Sequence, residues 1–205
     1  MSQLEKGILL AFEGIDGSGK TTQAKILYDT LRSKGYATVL TKEPTDGKWG
    51  RMIREVITGG RGEISPEEEL ALFINDRKEH VEREVKPALL QKSIIVVDRY
   101  YFSTMAYQGA LCLDVEKIRL ENELFAPIPD IVFILDVEVD MGIGRIVYNR
   151  KNGLDTFEQR EYLERVRKIF REMSAPYIQL IDATLSPTEV SQNIEKITMS
   201  YIHYI

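Results

Sequence analysis

Three uninterrupted apolar runs stand out along the chain, at residues 7–13, 93–98 and 130–136. Each is too short for a helix, rich in Ile and Val and bounded by polar residues, the pattern of strands buried on both faces of a sheet. Residues 36–41 and 177–182 repeat the pattern more weakly. Between the runs, apolar positions recur at helical spacing, most clearly over 20–33, 65–91, 155–173 and 187–201. Ser65-Pro66 predicts an N-cap followed by proline in the first turn, and the glutamates after it set negative charge at the positive helix end. Strand alternating with helix predicts an α/β fold of three layers, a five-stranded parallel sheet covered by helices on both faces.

No internal repeat, low-complexity tract or long linker divides the chain, and 205 residues suit one core better than two. A single domain over residues 1–205 is expected. The one local excursion is a lid near residues 144–155, where Asn149-Arg150-Lys151-Asn152-Gly153 is polar, basic and ends in glycine.

Composition narrows the partners. A formal charge of −5 gives no global positive field for a nucleic-acid backbone or an anionic membrane, so bound phosphate must be held by a local site. The apolar runs fall far short of the ~20 residues of a membrane helix, and residues 1–6 carry no signal-peptide pattern. An unexported, cytoplasmic protein is expected. The single cysteine, Cys112, excludes an internal disulfide and a cysteine-built zinc site, and reads as a small buried hydrophobe. His80 and His203 form no metal or acid–base constellation and read as structural or surface residues.

The strongest local signal is Gly14-Ile15-Asp16-Gly17-Ser18-Gly19-Lys20-Thr21, which satisfies G-x-x-x-x-G-K-[ST] between a predicted strand and a predicted helix. Such a loop turns successive backbone N–H groups toward phosphate oxygens, and the following helix adds its positive dipole. Lys20 then holds the β and γ phosphates and Thr21 ligates Mg²⁺. Nucleotide phosphate binding follows, but the motif serves switches, motors and small kinases alike.

Asp98 ends the run 93–98 at the sheet edge where open α/β folds bind ligands, suited to the magnesium shell. Arg99 follows, with the planar fork that grips a phosphate. A signalling GTPase is disfavoured, because the chain lacks Asn-Lys-x-Asp and Asp98 is followed by Arg99-Tyr100-Tyr101 rather than x-x-Gly.

Several stretches together resemble the thymidylate kinase family, in family order from residue 8 to about residue 185. The phosphate loop from Phe12 to Gln23 is similar to the family's opening, and Lys42-Glu43-Pro44 to its Arg-Glu-Pro element. Leu72-Phe73-Ile74-Asn75-Asp76-Arg77 resembles its Leu-Phe-x-x-x-Arg helix. The most specific stretch runs from Asp98-Arg99-Tyr100 through Ser103 to Ala106-Tyr107-Gln108-Gly109. Leu154-Asp155-Thr156-Phe157-Glu158 follows a basic lid, and Ile181-Asp182-Ala183 matches the last strand and adenine-side loop.

The resemblance implies an ATP- and Mg-dependent transfer to dTMP, with ATP on Gly14 to Thr22 and Ala183. Phe73 would stack on thymine, Arg77 donate to a thymine carbonyl, and Thr104 and Gln108 complete base recognition. Tyr107 would disfavour a 2′-hydroxyl, Asp16 receive the 3′-hydroxyl, and Arg99 grip the acceptor phosphate, beside Glu43, Pro44 and Ser103. Arg145 and Arg150 would close over the donor phosphates, and Glu158 would join Thr21 and Asp98 around the metal. A homodimer is implied too. One family subgroup carries arginine where this chain has Gly17, so catalytic positive charge is expected from the lid. Two other readings stay open: a kinase of another monophosphate such as dUMP or dCMP, and a nucleotide-binding regulator that transfers nothing.

Overall fold

The computed structural model describes residues 4–59, 64–149 and 157–204. Its centre is a five-stranded sheet built from β1 (Ile8–Glu13), β2 (Thr38–Lys42), β3 (Ile94–Asp98), β4 (Ile131–Asp136) and β5 (Ile178–Asp182), in spatial order β2-β3-β1-β4-β5. Every pairing is parallel, with Leu10 opposite both Val96 and Ile131. Successive strand residues face opposite sides of a sheet, yet every residue of β1 is buried, as are Ile94 to Val97 and Ile131 to Leu135. Both faces are therefore covered.

The covering helices are α1 (Lys20–Ser33), α2 (Lys48–Gly59), α3 (Pro66–His80), α4 (Lys86–Leu90), α5 (Tyr101–Gly109), α6 (Val115–Glu123), α7 (Val139–Asn149), α8 (Phe157–Glu172) and α9 (Pro187–Tyr204). Helix α1 packs beside α9 and against β1, β2 and β3, while α4 lies on β3 and α8 on β4. Ser65 caps α3 in a reciprocal box with Glu68, with Pro66 in the first turn, as the sequence predicts.

The stretch 65–91 is not one regular helix. Between α3 and α4 the chain widens into a π-helical turn, Val81–Val85, just before Pro87, which has no N–H to donate and whose ring crowds the carbonyl one turn back. Residues 144–149 of the expected lid are the last turns of α7. Cys112 corrects its expectation: it is exposed, in a turn at φ 70°, rather than buried.

Candidate active site

The carboxyl ends of β1 and β3, adjacent in the sheet, deliver the chemistry. After β1 the chain curls through Gly14 (φ 134°), Gly17 (φ 78°) and Gly19 (φ 99°) into α1. Gly17 has a second reason to be glycine: a Cβ there would stand 2.1 Å from the carbonyl oxygen of Gly142 on α7. Lys20 is buried and donates to the Ile15 carbonyl at 2.7 Å. Burial, reinforced by the Arg99 charge, pulls its ammonium down to about 8. The Ser18 hydroxyl is buried with no partner among the described residues. Thr22 stands exposed in the first turn of α1.

Thr21 donates its hydroxyl to one Asp98 oxygen at 2.5 Å, while the other Asp98 oxygen is buried without a partner among the described residues. That pairing of a hydroxyl with an unspent carboxylate oxygen fits a small hard cation, which takes one or two protein oxygens and fills its shell with phosphates and water. No cluster of three or more metal-binding side chains occurs among the described residues.

Arg99 turns out of β3 with φ 71°, a conformation costly for a residue with a side chain. Two bonds hold it there: its N–H to the Phe12 carbonyl at 2.9 Å, and the next N–H, of Tyr100, to the Glu13 carboxylate at 2.8 Å. The turn aims the guanidinium at Asp16 (2.5 Å), Ser103 (3.0 Å) and the hydroxyl of Tyr107 (3.3 Å), over whose ring it lies.

Glu13 is the hub of this turn, and sequence reasoning missed it. It is buried, takes the Tyr100 N–H on one oxygen and the Ser103 hydroxyl on the other, and so ties β1 to the start of α5. Burial pushes its carboxyl up to about 7, against the hydrogen bond from Ser103 and the charge of Arg99. An acid closing an otherwise apolar strand was the available signal.

A second cluster gathers where α3, α5 and α6 meet β2. Arg77 is buried; its Nε reaches Glu43 at 2.8 Å, Nη1 the Asn122 side-chain oxygen at 2.7 Å, and Nη2 the Thr104 hydroxyl at 3.0 Å. Glu43 precedes a cis bond to Pro44 and also meets His80 Nδ1 at 2.9 Å. Burial works against ionising Glu43, but the charge of Arg77 and the His80 bond outweigh it and hold its carboxyl below the usual range.

His80 is therefore no idle histidine. Burial would lower it, yet its bonds to Glu43 and Glu84 raise it to about 9. Thr45 is tied by backbone and hydroxyl to the buried Asp76, and Arg54 reaches the Pro44 carbonyl at 3.3 Å. Phe73 lies half-buried one turn before Arg77. Gln108 is fully buried one turn after Thr104, with both side-chain polar atoms unpartnered among the described residues.

On the far side of the phosphate loop, Arg145 on α7 donates to the Ala183 carbonyl at 2.9 Å and reaches the Gly17 carbonyl at 3.4 Å. The predicted donor-side residues Gly17, Arg145 and Ala183 thus meet. Arg150 and the side chain of Glu158 lie outside the described residues. The sequence-predicted residues otherwise fall into two groups: Gly14 to Thr22 with Asp98, Arg99 and Ser103, and Glu43, Pro44, Phe73, Arg77, Thr104 and Gln108, with Tyr107 between them under Arg99.

Comparison with known proteins agrees. The family model described as Thymidylate kinase matches residues 12–194. A thymidylate kinase of Desulfotalea psychrophila is 45% identical over 188 residues, 92% of each chain. One of Akkermansia muciniphila is 44% identical over 191 residues, 93% of this chain and 91% of the relative. The crystal structure of thymidylate kinase from Ehrlichia chaffeensis superposes with a TM-score of 0.76 at 30% identity, covering 94% of this chain and 98% of that one. Matched by that model along most of its length, with relatives well above a third identical across nine-tenths of both chains, the chain belongs to the thymidylate kinase family.

Proposed function

We propose that the protein phosphorylates dTMP to dTDP with Mg-ATP, by in-line phosphoryl transfer on the way to dTTP. One observation carries the reading: Arg99, suited to an acceptor phosphate, ion-pairs at 2.5 Å with Asp16 of the donor-phosphate loop. Two phosphate-handling elements on adjacent strands thus share one edge, the arrangement that transfer between two nucleotides needs.

The acceptor phosphate is already an oxyanion at neutral pH, so no strong general base is required. The chain's work is alignment and charge neutralisation. Lys20 and the loop N–H groups hold the donor phosphates, and Arg99 holds the acceptor. Thr21 and Asp98, with Glu158, would hold the magnesium, which when bound would neutralise phosphate charge. Arg145 and Arg150 add lid charge, and Arg145 also links the loop to Ala183 on the adenine side. Asp16 receives the 3′-hydroxyl and Tyr107 crowds a 2′-hydroxyl. Phe73 stacks on the base, while Arg77, Thr104 and Gln108 read its edge.

A cytoplasmic homodimer completes the reading. It is supported by family membership and by the finding that no helix among the described residues is long and apolar enough to cross a membrane.

The test is coupled ADP formation with Mg-ATP and dTMP, against dUMP, dCMP, dGMP and UMP, with Arg99→Ala as control. The expected result is a kcat/KM for dTMP at least about tenfold above the others, a gap of about 1.4 kcal/mol, and collapse in the variant. Preference for another monophosphate would reassign the base-reading residues, and ATP binding without any monophosphate-dependent turnover would replace the enzyme with a regulator.

A further inference from the structure

We infer that Asn122, which lies outside every motif of the site, determines base specificity by fixing the guanidinium plane of Arg77. The inference rests on the reading above, in which Arg77 faces the base of the acceptor nucleotide.

The geometry is a clamp. Glu43 Oε2 takes Arg77 Nε at 2.8 Å and stands 2.6 Å from Nη2. Thr104 takes Nη2 from α5 at 3.0 Å, and Asn122 takes Nη1 from α6 at 2.7 Å. A guanidinium has five N–H groups in one plane. Three neighbours, at the end of β2 and on α5 and α6, thus hold the plane from three directions: three of its N–H groups are hydrogen-bonded, the second Nη2 hydrogen lies in the ion pair with Glu43, and the second Nη1 hydrogen has no bond among the described residues. The Tyr100 ring lies under the group, 5.5 Å from its carbon.

Asn122 is the one neutral side chain of the clamp whose orientation is fixed from behind. It is completely buried, and its amide nitrogen donates to the Ile118 carbonyl of its own helix at 2.8 Å. Turning the amide over would set its NH₂ against an Arg77 N–H and its oxygen against the Ile118 carbonyl, two contacts of like polarity. The oxygen must therefore face Arg77. Helix α6 is itself anchored by Asp114, whose carboxylate caps the N–H groups of Glu116 and Lys117.

An arginine held in plane offers its free N–H in one direction only. A base presenting a carbonyl oxygen there is accepted, and a base presenting an amino group meets donor against donor. A buried site that matches one polarity rejects the other strongly. Without Asn122 the guanidinium can rotate away from the mismatch, so discrimination falls while the transfer step itself is untouched.

The probe pair is dTMP and 5-methyl-dCMP, which share shape but differ in polarity along the edge that carries the 4-substituent. Asn122→Ala and Asn122→Ser are assayed with both, beside Arg77→Met. Serine can still bond the Ile118 carbonyl but is too short to reach Arg77, so it decides the matter if alanine unfolds. The expected result is a kcat/KM ratio between the two substrates narrowed roughly tenfold or more, through a lowered KM for 5-methyl-dCMP and a raised KM for dTMP, with kcat for dTMP nearly unchanged. If Arg77→Met narrows the ratio and folded Asn122 variants leave it at the wild-type value, losing only thermal stability, Asn122 is structural and the inference falls alone. If Arg77→Met itself leaves the ratio unchanged, the base-facing role of Arg77 falls and the inference with it.

Discussion

Glu13 offers a quantitative handle on the buried turn that aims Arg99. Its carboxyl sits at about 7 against an ordinary 4.5, so the folded chain keeps a proton that the unfolded chain gives up in between. For an acid raised by folding, the stability contribution is complete below about pH 4.5, declines as pH rises, and is lost once pH passes about 7. At about 1.4 kcal/mol per pKa unit, the full decline is about 3 kcal/mol. Glu13→Gln removes the titration but keeps both contacts, since the amide oxygen can accept the Tyr100 N–H and the amide nitrogen can donate to Ser103. The free-energy difference between variant and wild type should therefore swing by about 2–3 kcal/mol in favour of the glutamine between about pH 5 and about pH 8. That corresponds to roughly 5–10 °C in Tm for a chain of this size. Urea denaturation followed by fluorescence of Trp49, the only tryptophan, measures it. A difference that stays constant across that range would refute the reasoning, because it would mean that Glu13 does not change protonation there.

Three further outcomes are expected. Gly17→Ala should destabilise the chain by about 2–4 kcal/mol and raise the ATP KM more than tenfold, because its Cβ meets the Gly142 carbonyl at 2.1 Å. Gly19→Ala, equally left-handed but with no atom within 4 Å of the added Cβ, should cost only about 1 kcal/mol in the same denaturation experiment. For His80, raised from 6.5 to about 9, the sign also favours low pH: its contribution is complete below about pH 6.5 and lost as pH rises through about 9. His80→Gln should flatten a decline of up to about 3 kcal/mol in that window, read as denaturation midpoint against pH.

The strands β1, β3 and β4 were legible because burial on both faces leaves no polar residue to interrupt them. Strand β2, at the sheet edge and half-exposed along most of its length, carries Thr and Lys and reads weakly for that reason. Helix α5 escaped because Tyr101 to Ala106 are all buried, so no polar face marks its period. The π-helical turn has no pattern of its own. Within the site, residues in contiguous motifs could be read, since neighbours in sequence supply the context. The roles of His80 and Asn122 could not, and that of Glu13 was signalled only by its being an acid at the end of an apolar strand, because their partners lie far along the chain: Tyr100 and Ser103 for Glu13, Glu43 for His80 and Arg77 for Asn122. His80 follows Arg77 at helical spacing, and that shared face was the hint available for it.

The Asp16–Arg99 pair carries a thermodynamic consequence. The cation proposed above to grip the acceptor ion-pairs at 2.5 Å with Asp16, in the loop proposed to wrap the donor. A ligand that draws Arg99 toward its own phosphate would leave the Asp16 carboxylate with Lys20 as its remaining cationic neighbour, and a ligand that reshapes the loop would move the anchor of Arg99. The two affinities are therefore coupled through one ion pair, and reciprocity requires each nucleotide to alter the other's dissociation constant by the same factor.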